Sequence, residues 1–182
     1  MVSKQLLREY ALRSRNRLSR SYIKSKSSIV SSKLPPILKN KRYILSYNPY
    51  NSEIMPSLNI GRSKILFPKV IGKNTMIACL PVRGVMVKGY KKIKEPKFNM
   101  CRKINKNRID AVIVPGLLFS PKGYRIGYGK GFYDRFMHKM HFLKVGITYD
   151  FLITDKIKND TFDVPVDIVI TNKKTIFCKL RR

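Results

Sequence analysis

The spacing of hydrophobic residues predicts two helices at the start of the chain. Across residues 3–18 the apolar positions partly follow the helical period, and Arg and Lys occupy the other faces. This pattern predicts an amphipathic helix capped by Ser3. A second helix is predicted to follow Ser19 and to end before Pro35 and Pro36, because proline has no amide hydrogen to continue the helical ladder.

Short apolar runs farther along the chain predict strands. The most informative run lies within residues 110–115, where Asp110 is followed by apolar residues without interruption, as is typical of a strand buried on both faces of a parallel sheet. Strands are predicted over residues 42–47, 64–67, 76–80, 110–115 and 143–148, with a closing hairpin at 166–171 and 175–178, short helices over 52–60 and 132–140, and loops with a peripheral strand over 83–108. Helices that alternate with apolar strands predict an α/β sandwich with a mainly parallel sheet. We expect one domain over residues 1–182.

The charge of the chain changes the range of ligands to consider. Lys and Arg number 39 against 10 Asp and Glu, a formal net charge of +29. Such a field favours nucleic acid, an acidic membrane surface or a polyanionic small ligand. The basic residues are spread along the whole chain without a long basic block. We therefore hypothesise that compositional drift supplies much of the excess, and we expect no specific nucleic-acid partner.

Other features of the composition exclude several classes of protein. No run of 18 apolar residues indicates a membrane span, and no apolar leader follows Met1, so we expect a cytoplasmic location. Cys79, Cys101 and Cys178 lie far apart and lack CxxC spacing. This spacing argues against a disulfide framework or a zinc site and favours reduced, mostly buried thiols.

The segment with the most chemical content is a glycine-rich turn between a predicted strand and a predicted helix. Gly127, Gly129 and Gly131 allow the backbone to approach a ligand closely. Their amides can cradle a phosphate, and Arg125 and Lys130 add positive charge against its oxygens. The turn is neither a P-loop nor a complete dinucleotide-binding fingerprint.

The residues around this turn resemble the signature of the 5-formyltetrahydrofolate cyclo-ligase family. Residues 115–135 read PGLLFSPKGYRIGYGKGFYDR, and they contain every fixed position of a pattern that ends R-[LI]-G-x-G-x-G-[FY]-Y-D. Residues 4–8 (KQLLR), 52–54 (SEI) and 163–171 (DVPVDIVIT) are similar to three further elements of the family, in the same order. Ser52 departs from an often acidic position. Within residues 69–103 only Glu95-Pro96 matches, so no site residue is assigned there.

The resemblance implies both a fold and a reaction. The implied fold is a single-domain three-layer α/β/α sandwich, Rossmann-like and similar to the sugar-phosphate isomerase and CoA-transferase group. The implied reaction converts 5-formyltetrahydrofolate and ATP, with Mg²⁺, to 5,10-methenyltetrahydrofolate, ADP and phosphate through phosphorylation of the formyl oxygen. We expect a monomer that acts on free or polyglutamylated folate and does not engage a membrane.

The resemblance also assigns roles to residues. Arg125 and Lys130 would be catalytic, and Asp134 and Asp163 would bind magnesium. ATP would be bound by residues of the first helix and of the glycine turn, namely Lys4, Arg8, Arg125, Ile126, Gly127, Tyr128, Gly129, Lys130, Gly131, Phe132 and Tyr133. The folate would be bound by Asn48, Glu53, Tyr128 and Phe132. Lys4 and Arg8 lie one helical turn apart at a helix start, where cations oppose the helix dipole, so an anionic ligand would explain them.

Three alternatives stay open from the sequence. The net charge favours a basic nucleic-acid-binding protein, although its aromatic residues cluster in the glycine turn and in predicted strands rather than among the basic ones. A different enzyme that uses ATP or a phosphosugar could share the scaffold, since fold does not fix function. A family member that has lost activity is the third.

Overall fold

The structure is a computed structural model that describes residues 2–178, so the domain predicted over residues 1–182 extends outside the described residues at both ends. Its helices are α1 (Lys4–Asn16), α2 (Arg20–Ser32), α3 (Leu34–Leu38) and α4 (Phe132–Met137). Ser3 and Ser19 cap α1 and α2, and each hydroxyl accepts a hydrogen bond of 3.2 Å from an amide of the first turn. Both predicted helices at the start of the chain are confirmed. Pro35 and Pro36 lie in the first turn of α3, where proline is tolerated.

One mixed sheet of eight strands forms the centre of the molecule. The strands of the whole structure are β1 (Tyr43–Leu45), β2 (Lys64–Val70), β3 (Met76–Pro81), β4 (Met86–Lys88), β5 (Lys94–Pro96), β6 (Cys101–Ile104), β7 (Ala111–Pro115), β8 (Leu118–Phe119), β9 (Arg125–Ile126), β10 (Leu143–Ile147), β11 (Ile168–Ile170) and β12 (Thr175–Phe177). The order in the main sheet is β12-β11-β10-β7-β1-β2-β3-β6. The five strands from β11 to β2 run parallel, and the strands at both edges are antiparallel.

Side chains that alternate along the central strands build a core on each face of the sheet. Ile44 and Ile113 pack with residues of α1, α2 and α3 on one face. Leu45, Val112 and Val114 pack with residues of α4 on the other, because successive residues of a strand point to opposite faces. The three-layer α/β arrangement is therefore confirmed, and β7 is buried on both faces as predicted.

The prediction of a helix over residues 52–60 is wrong. The segment begins in a turn and then has no regular secondary structure. The amides of Met55 and Ser57 donate to the hydroxyls of Ser27 and Ser31 on α2, so partners outside the segment replace a helical ladder. Pro56 between them has no amide to contribute to one.

Other boundaries differ from the prediction by a few residues. α4 ends at Met137 rather than Met140, because the backbone of His138 leaves the helical region with ψ of 129°. The predicted loops of residues 83–108 contain a hairpin of β4 and β5 and the edge strand β6. His138 and His141 are exposed, as expected for surface residues.

Two expectations from the composition concern the state of the cysteines and a membrane span. Cys79, Cys101 and Cys178 are free thiols; Cys79 is buried and the other two are half-buried. Cys79 and Cys101 face each other between β3 and β6, with their Sγ atoms 2.8 Å apart. Across residues 2–178, every helix is too short or too polar to cross a lipid bilayer.

Candidate functional site

A cavity of about 360 Å³ opens beyond the carboxyl ends of β1 and β7, where open α/β sheets bind ligands. Its walls come from α1, the segments that follow β1 and β7, the glycine turn, the β4–β5 hairpin and residues 160–163. All fifteen site residues assigned from the sequence lie on this wall: Lys4, Arg8, Asn48, Glu53, Arg125, Ile126, Gly127, Tyr128, Gly129, Lys130, Gly131, Phe132, Tyr133, Asp134 and Asp163.

The glycine turn connects β9 to α4 and forms one end of the cavity. Gly129 and Gly131 have φ of +94° and +64°, a region that other residues rarely adopt. A Cβ atom on Gly131 would also lie 2.7 Å from Nη1 of Arg135. Arg8 donates from Nε to the Gly127 carbonyl at 3.0 Å, which fixes α1 against the turn.

Lys4 lies between two carboxylates at this end of the cavity. Its Nζ is 2.6 Å from Oδ2 of Asp160 and 2.6 Å from Oδ2 of Asp163. The amide of Asp160 also donates to Oδ2 of Asp163 at 2.8 Å. Burial lowers the pKa of Lys4, but the two carboxylates outweigh that effect and raise it. Lys4 therefore keeps its positive charge beside the glycine turn.

Arg125 supplies a second, more deeply buried cation. Its side chain is 6% exposed, and Nη2 lies 3.0 Å from Oδ2 of Asp134. Nη1 donates to the Val164 carbonyl at 3.1 Å, and the Val164 amide donates back to Oδ1 of Asp134. Burial lowers the pKa of Arg125 and Asp134 opposes the shift, so the guanidinium stays charged. Lys130 is exposed on the cavity wall.

A neighbouring part of the cavity wall is formed by Glu53 and by tyrosine rings. Glu53 is buried, and its Oε2 accepts from the Tyr50 amide at 2.8 Å. Burial raises the pKa of Glu53 to about 7, against the Tyr50 hydrogen bond and the charges of Arg15 and Lys91. Tyr50 and Tyr128 meet edge to face at 5.3 Å, and Nζ of Lys91 lies 4.8 Å from the Tyr128 ring centroid.

Two buried hydroxyls in this region have no hydrogen-bond partner among the described residues. They belong to Tyr128 and Tyr133, which both line the cavity. Burial raises the pKa of Tyr128 to about 12. Both hydroxyl oxygens are closed off from solvent, where an unpaired hydroxyl is costly.

Sequence reasoning missed the β4–β5 hairpin, which forms part of the cavity wall. Tyr90 meets Phe132 edge to face at 5.6 Å. The Lys94 carbonyl accepts from Nδ2 of Asn48 at 2.8 Å. Glu95 forms a largely buried ion pair with Lys69, at 2.8 Å. The match of Glu95-Pro96 to the family was the one signal for this segment.

The comparisons with known proteins identify the family of the chain. The model of the 5-formyltetrahydrofolate cyclo-ligase family matches residues 1–172. A 5-formyltetrahydrofolate cyclo-ligase of Mycoplasma genitalium is 31% identical over 180 residues, which cover 94% of this chain and 99% of that protein. The fold matches two 5,10-methenyltetrahydrofolate synthetases: that of Aquifex aeolicus (TM-score 0.80, 28% identity, 98% of this chain and 94% of the other) and that of Mycoplasma pneumoniae (TM-score 0.77, 24% identity, 98% and 100%). The chain is therefore an enzyme that belongs to the 5-formyltetrahydrofolate cyclo-ligase family.

Proposed function

We propose that the enzyme uses ATP to convert 5-formyltetrahydrofolate to 5,10-methenyltetrahydrofolate, with release of ADP and phosphate. The observation that carries the proposal is a single cavity whose wall carries two chemically different sets of groups. One set is the glycine turn with its cations, which suits the phosphates of ATP. The other set is a buried carboxyl group and tyrosine rings, which suit the donor groups and the flat surface of a pterin.

The cations determine how the phosphates would be bound. We assign Lys4, Arg8 and the amides of the glycine turn to the phosphates of ATP. Arg125 and Lys130 would neutralise the charge on the phosphoryl group as it is transferred. Transfer of this kind depends on positioning and on electrostatic stabilisation more than on covalent help from the protein.

The reaction then proceeds in two steps. The formyl oxygen attacks the γ-phosphorus, so that an O–P bond forms, the bond to the β-phosphate oxygen breaks and ADP leaves. N10 next attacks the activated formyl carbon and loses its proton to water, and the C–O bond breaks to release phosphate. Glu53, Asn48, Tyr128 and Phe132 would hold the folate so that N10 faces the formyl carbon, since correct orientation lowers the barrier of a ring closure.

Asp134 and Asp163 are the residues we propose for magnesium. Both offer the hard carboxylate oxygens that Mg²⁺ prefers. The described residues contain no group of three or more side chains that could form a metal site by themselves. This agrees with the usual binding of Mg²⁺ by one or two carboxylates together with phosphate oxygens. When bound, the ion would neutralise charge on the phosphates.

We also propose that the enzyme works as a monomer in the cytoplasm, where ATP and folates are both present. The wall of the cavity carries several exposed lysines, among them Lys91, Lys94 and Lys130. Their charge supports acceptance of a polyglutamylated folate. Size-exclusion chromatography at several concentrations tests the oligomeric state, and folates with tails of different length test the substrate.

The proposal predicts a strong effect of Lys130→Ala on turnover. With ATP, Mg²⁺ and 5-formyltetrahydrofolate, we expect the ultraviolet absorbance of the methenyl product to rise. The variant should slow this rise at least about 30-fold, since a lost contact to the transferring phosphate costs about 2 kcal/mol or more. Lys130 is exposed, so the free energy of unfolding should stay within about 0.5 kcal/mol of wild type.

Lys122→Ala is the matched control for this variant. Lys122 is exposed in the loop before the glycine turn and does not line the cavity, so its loss should leave the rate unchanged. Folded wild-type protein that forms no methenyl product with ATP and Mg²⁺ would contradict the proposed reaction. A rate lost equally in both variants would contradict the role of Lys130 alone.

A further inference from the structure

Helix α1 carries a third cation on the face that holds Lys4 and Arg8. Arg15 lies seven residues after Arg8, which places it on the same side of the helix. Arg15 is only 2% exposed. Arg15 lies beside Glu53, Tyr47 and Tyr149 around a gap that is too small to hold a water molecule.

The contacts of Arg15 are few for so deeply buried a charge. Within residues 2–178 it forms no ion pair, and its hydrogen bond from Nη2 reaches the Tyr50 carbonyl at 3.4 Å. A guanidinium has five donors, and burying it without a compensating charge is costly. The carboxyl group of Glu53, on the other side of Tyr50, is the acid whose charge it can offset.

Tyr50 links the two buried groups directly. Its carbonyl accepts from Arg15, and its amide donates to Oε2 of Glu53 at 2.8 Å. Its ring meets that of Tyr128 edge to face at 5.3 Å. Removing Arg15 would therefore release the carbonyl end of a residue that orients both Glu53 and the Tyr128 ring.

The other groups that face Glu53 are weaker sources of positive charge. Lys91, at the tip of the hairpin, is exposed and therefore screened by solvent. The remaining neighbours are the hydroxyls of Tyr47, Tyr128, Tyr133 and Tyr149, whose pKa values burial raises further. They are neutral near pH 7 and cannot compensate a carboxylate charge.

We propose that Arg15 is a positioning residue, which fixes Tyr50, favours the ionised form of the Glu53 carboxyl group and holds that group against the cavity. The role for the substrate rests on the proposed function, in which the ionised carboxylate accepts hydrogen bonds from the pterin. Arg15 does not line the large cavity that would hold the substrates. It acts through Tyr50 and Glu53.

The test measures the ionisation of Glu53 and the binding of folate separately. Arg15→Met keeps the length of the side chain and removes its charge, and Arg15→Lys keeps the charge. Arg13→Met, at a side chain that is 79% exposed on the same helix, is the matched control. Carbon NMR of labelled glutamate reports the titration of Glu53 without any ligand, with Glu53→Gln to assign the signal. Equilibrium dialysis without ATP reports the Kd for 5-formyltetrahydrofolate from pH 6 to pH 9.

In Arg15→Met we expect the titration of Glu53 to move upward by about one pH unit, which corresponds to about fivefold weaker folate binding at pH 7 and about tenfold weaker binding at pH 6. The difference in Kd should narrow as the pH rises past the new midpoint, because the carboxylate is then ionised in both proteins. Arg15→Lys should restore most of the titration and of the affinity. Arg15→Gln carries the same expectation as the methionine variant and replaces it if that protein does not fold.

An unchanged Glu53 titration in the neutral variants would overturn the inference, whatever happens to folate binding. A loss of affinity equal at every pH would do so too, since it would mean that Arg15 only packs. If the titration shifts as expected but wild-type protein does not bind 5-formyltetrahydrofolate, the link from Arg15 to Glu53 is supported and the proposed function is the part that fails.

Discussion

Arg125→Ala is expected to reduce activity strongly and to destabilise the protein as well. Arg125 is almost fully buried and pairs with Asp134 at 3.0 Å. Removing one partner of such a pair typically costs about 3–5 kcal/mol, and Asp134 is partly exposed, so we expect the lower end of that range. The loss of a buried cation beside the transferring phosphate should reduce kcat by about 10²–10³-fold.

Two further variants separate catalysis from folding. Arg125→Lys keeps the charge but not the planar fork that bonds Asp134 and the Val164 carbonyl together. It should fold with a smaller loss of stability and still turn over at least about tenfold more slowly. Arg125→Ala combined with Asp134→Ala removes the unpaired carboxylate, so it should regain stability without regaining activity.

Urea unfolding and initial rates, measured on the same preparations, check this prediction. Arg13→Ala is the control, because Arg13 is a largely exposed arginine of α1 and forms only a 3.7 Å surface pair with Glu9. Arg125→Lys turning over at the wild-type rate would show that charge alone suffices at this position. Arg125→Ala as stable as wild type would show that the ion pair does not support the fold.

Much of the site could be predicted from sequence, because its main segment is continuous. The strand before it is fully apolar, and the glycines, Arg125, Lys130 and Asp134 follow within one short stretch. A chain that leaves a parallel strand at its carboxyl end must form the binding edge of the sheet. Local order along the chain was therefore sufficient to bring these residues to one cavity.

The β4–β5 hairpin could not be predicted in the same way. Its tip is rich in lysine and has left-handed backbone at Lys91 and Lys92, so no hydrophobic period marks it. It is fastened by contacts between residues far apart in sequence, from Lys69 to Glu95 and from Asn48 to the Lys94 carbonyl. The place of the hairpin on the cavity wall therefore depends on tertiary contacts.

Two features could not be predicted from the sequence for the same reason. They are the burial of Arg15 and the absence of a helix over residues 52–60. Helical spacing already puts Arg15 on the face of Lys4 and Arg8, but it gives no sign that residues 50–54 pack against that end of α1. The hydroxyls of Ser27 and Ser31 on α2 accept hydrogen bonds from the amides of residues 55 and 57, in place of helical partners. The tertiary contacts of one irregular segment thus decided both outcomes, against its local propensity.

Glu53→Gln is expected to make the protein more stable at high pH and to leave it nearly unchanged at low pH. The pKa of Glu53 is raised by burial from 4.5 to about 7. As the pH rises through that interval, the unfolded chain releases the proton first, so the folded state binds more protons and loses stability. The loss of stability is absent well below pH 4.5 and complete well above pH 7.

The size of the loss of stability follows from the difference between the pKa of Glu53 in the unfolded chain and its pKa in the folded protein. One pKa unit corresponds to about 1.4 kcal/mol, so wild type should lose about 3 kcal/mol relative to Glu53→Gln between pH 4.5 and pH 8. Glutamine keeps an oxygen that can accept from the Tyr50 amide, so the hydrogen bond of 2.8 Å can persist. Urea unfolding of both proteins across this range gives the difference directly.

Glu9→Gln serves as the control, because the Glu9 side chain is 43% exposed on α1 and forms a 3.7 Å surface pair with Arg13 and a 3.4 Å hydrogen bond from Gln5. Its effect on stability should vary by less than about 0.5 kcal/mol over the same range. A difference between wild type and Glu53→Gln that does not change with pH would mean that Glu53 titrates as an exposed carboxyl group does. If the prediction holds, the same substitution should also weaken binding of 5-formyltetrahydrofolate at pH 8, where wild type carries the full carboxylate charge. Stability and binding would then change in opposite directions, as expected when a buried charge is kept for its ligand at a cost to the fold.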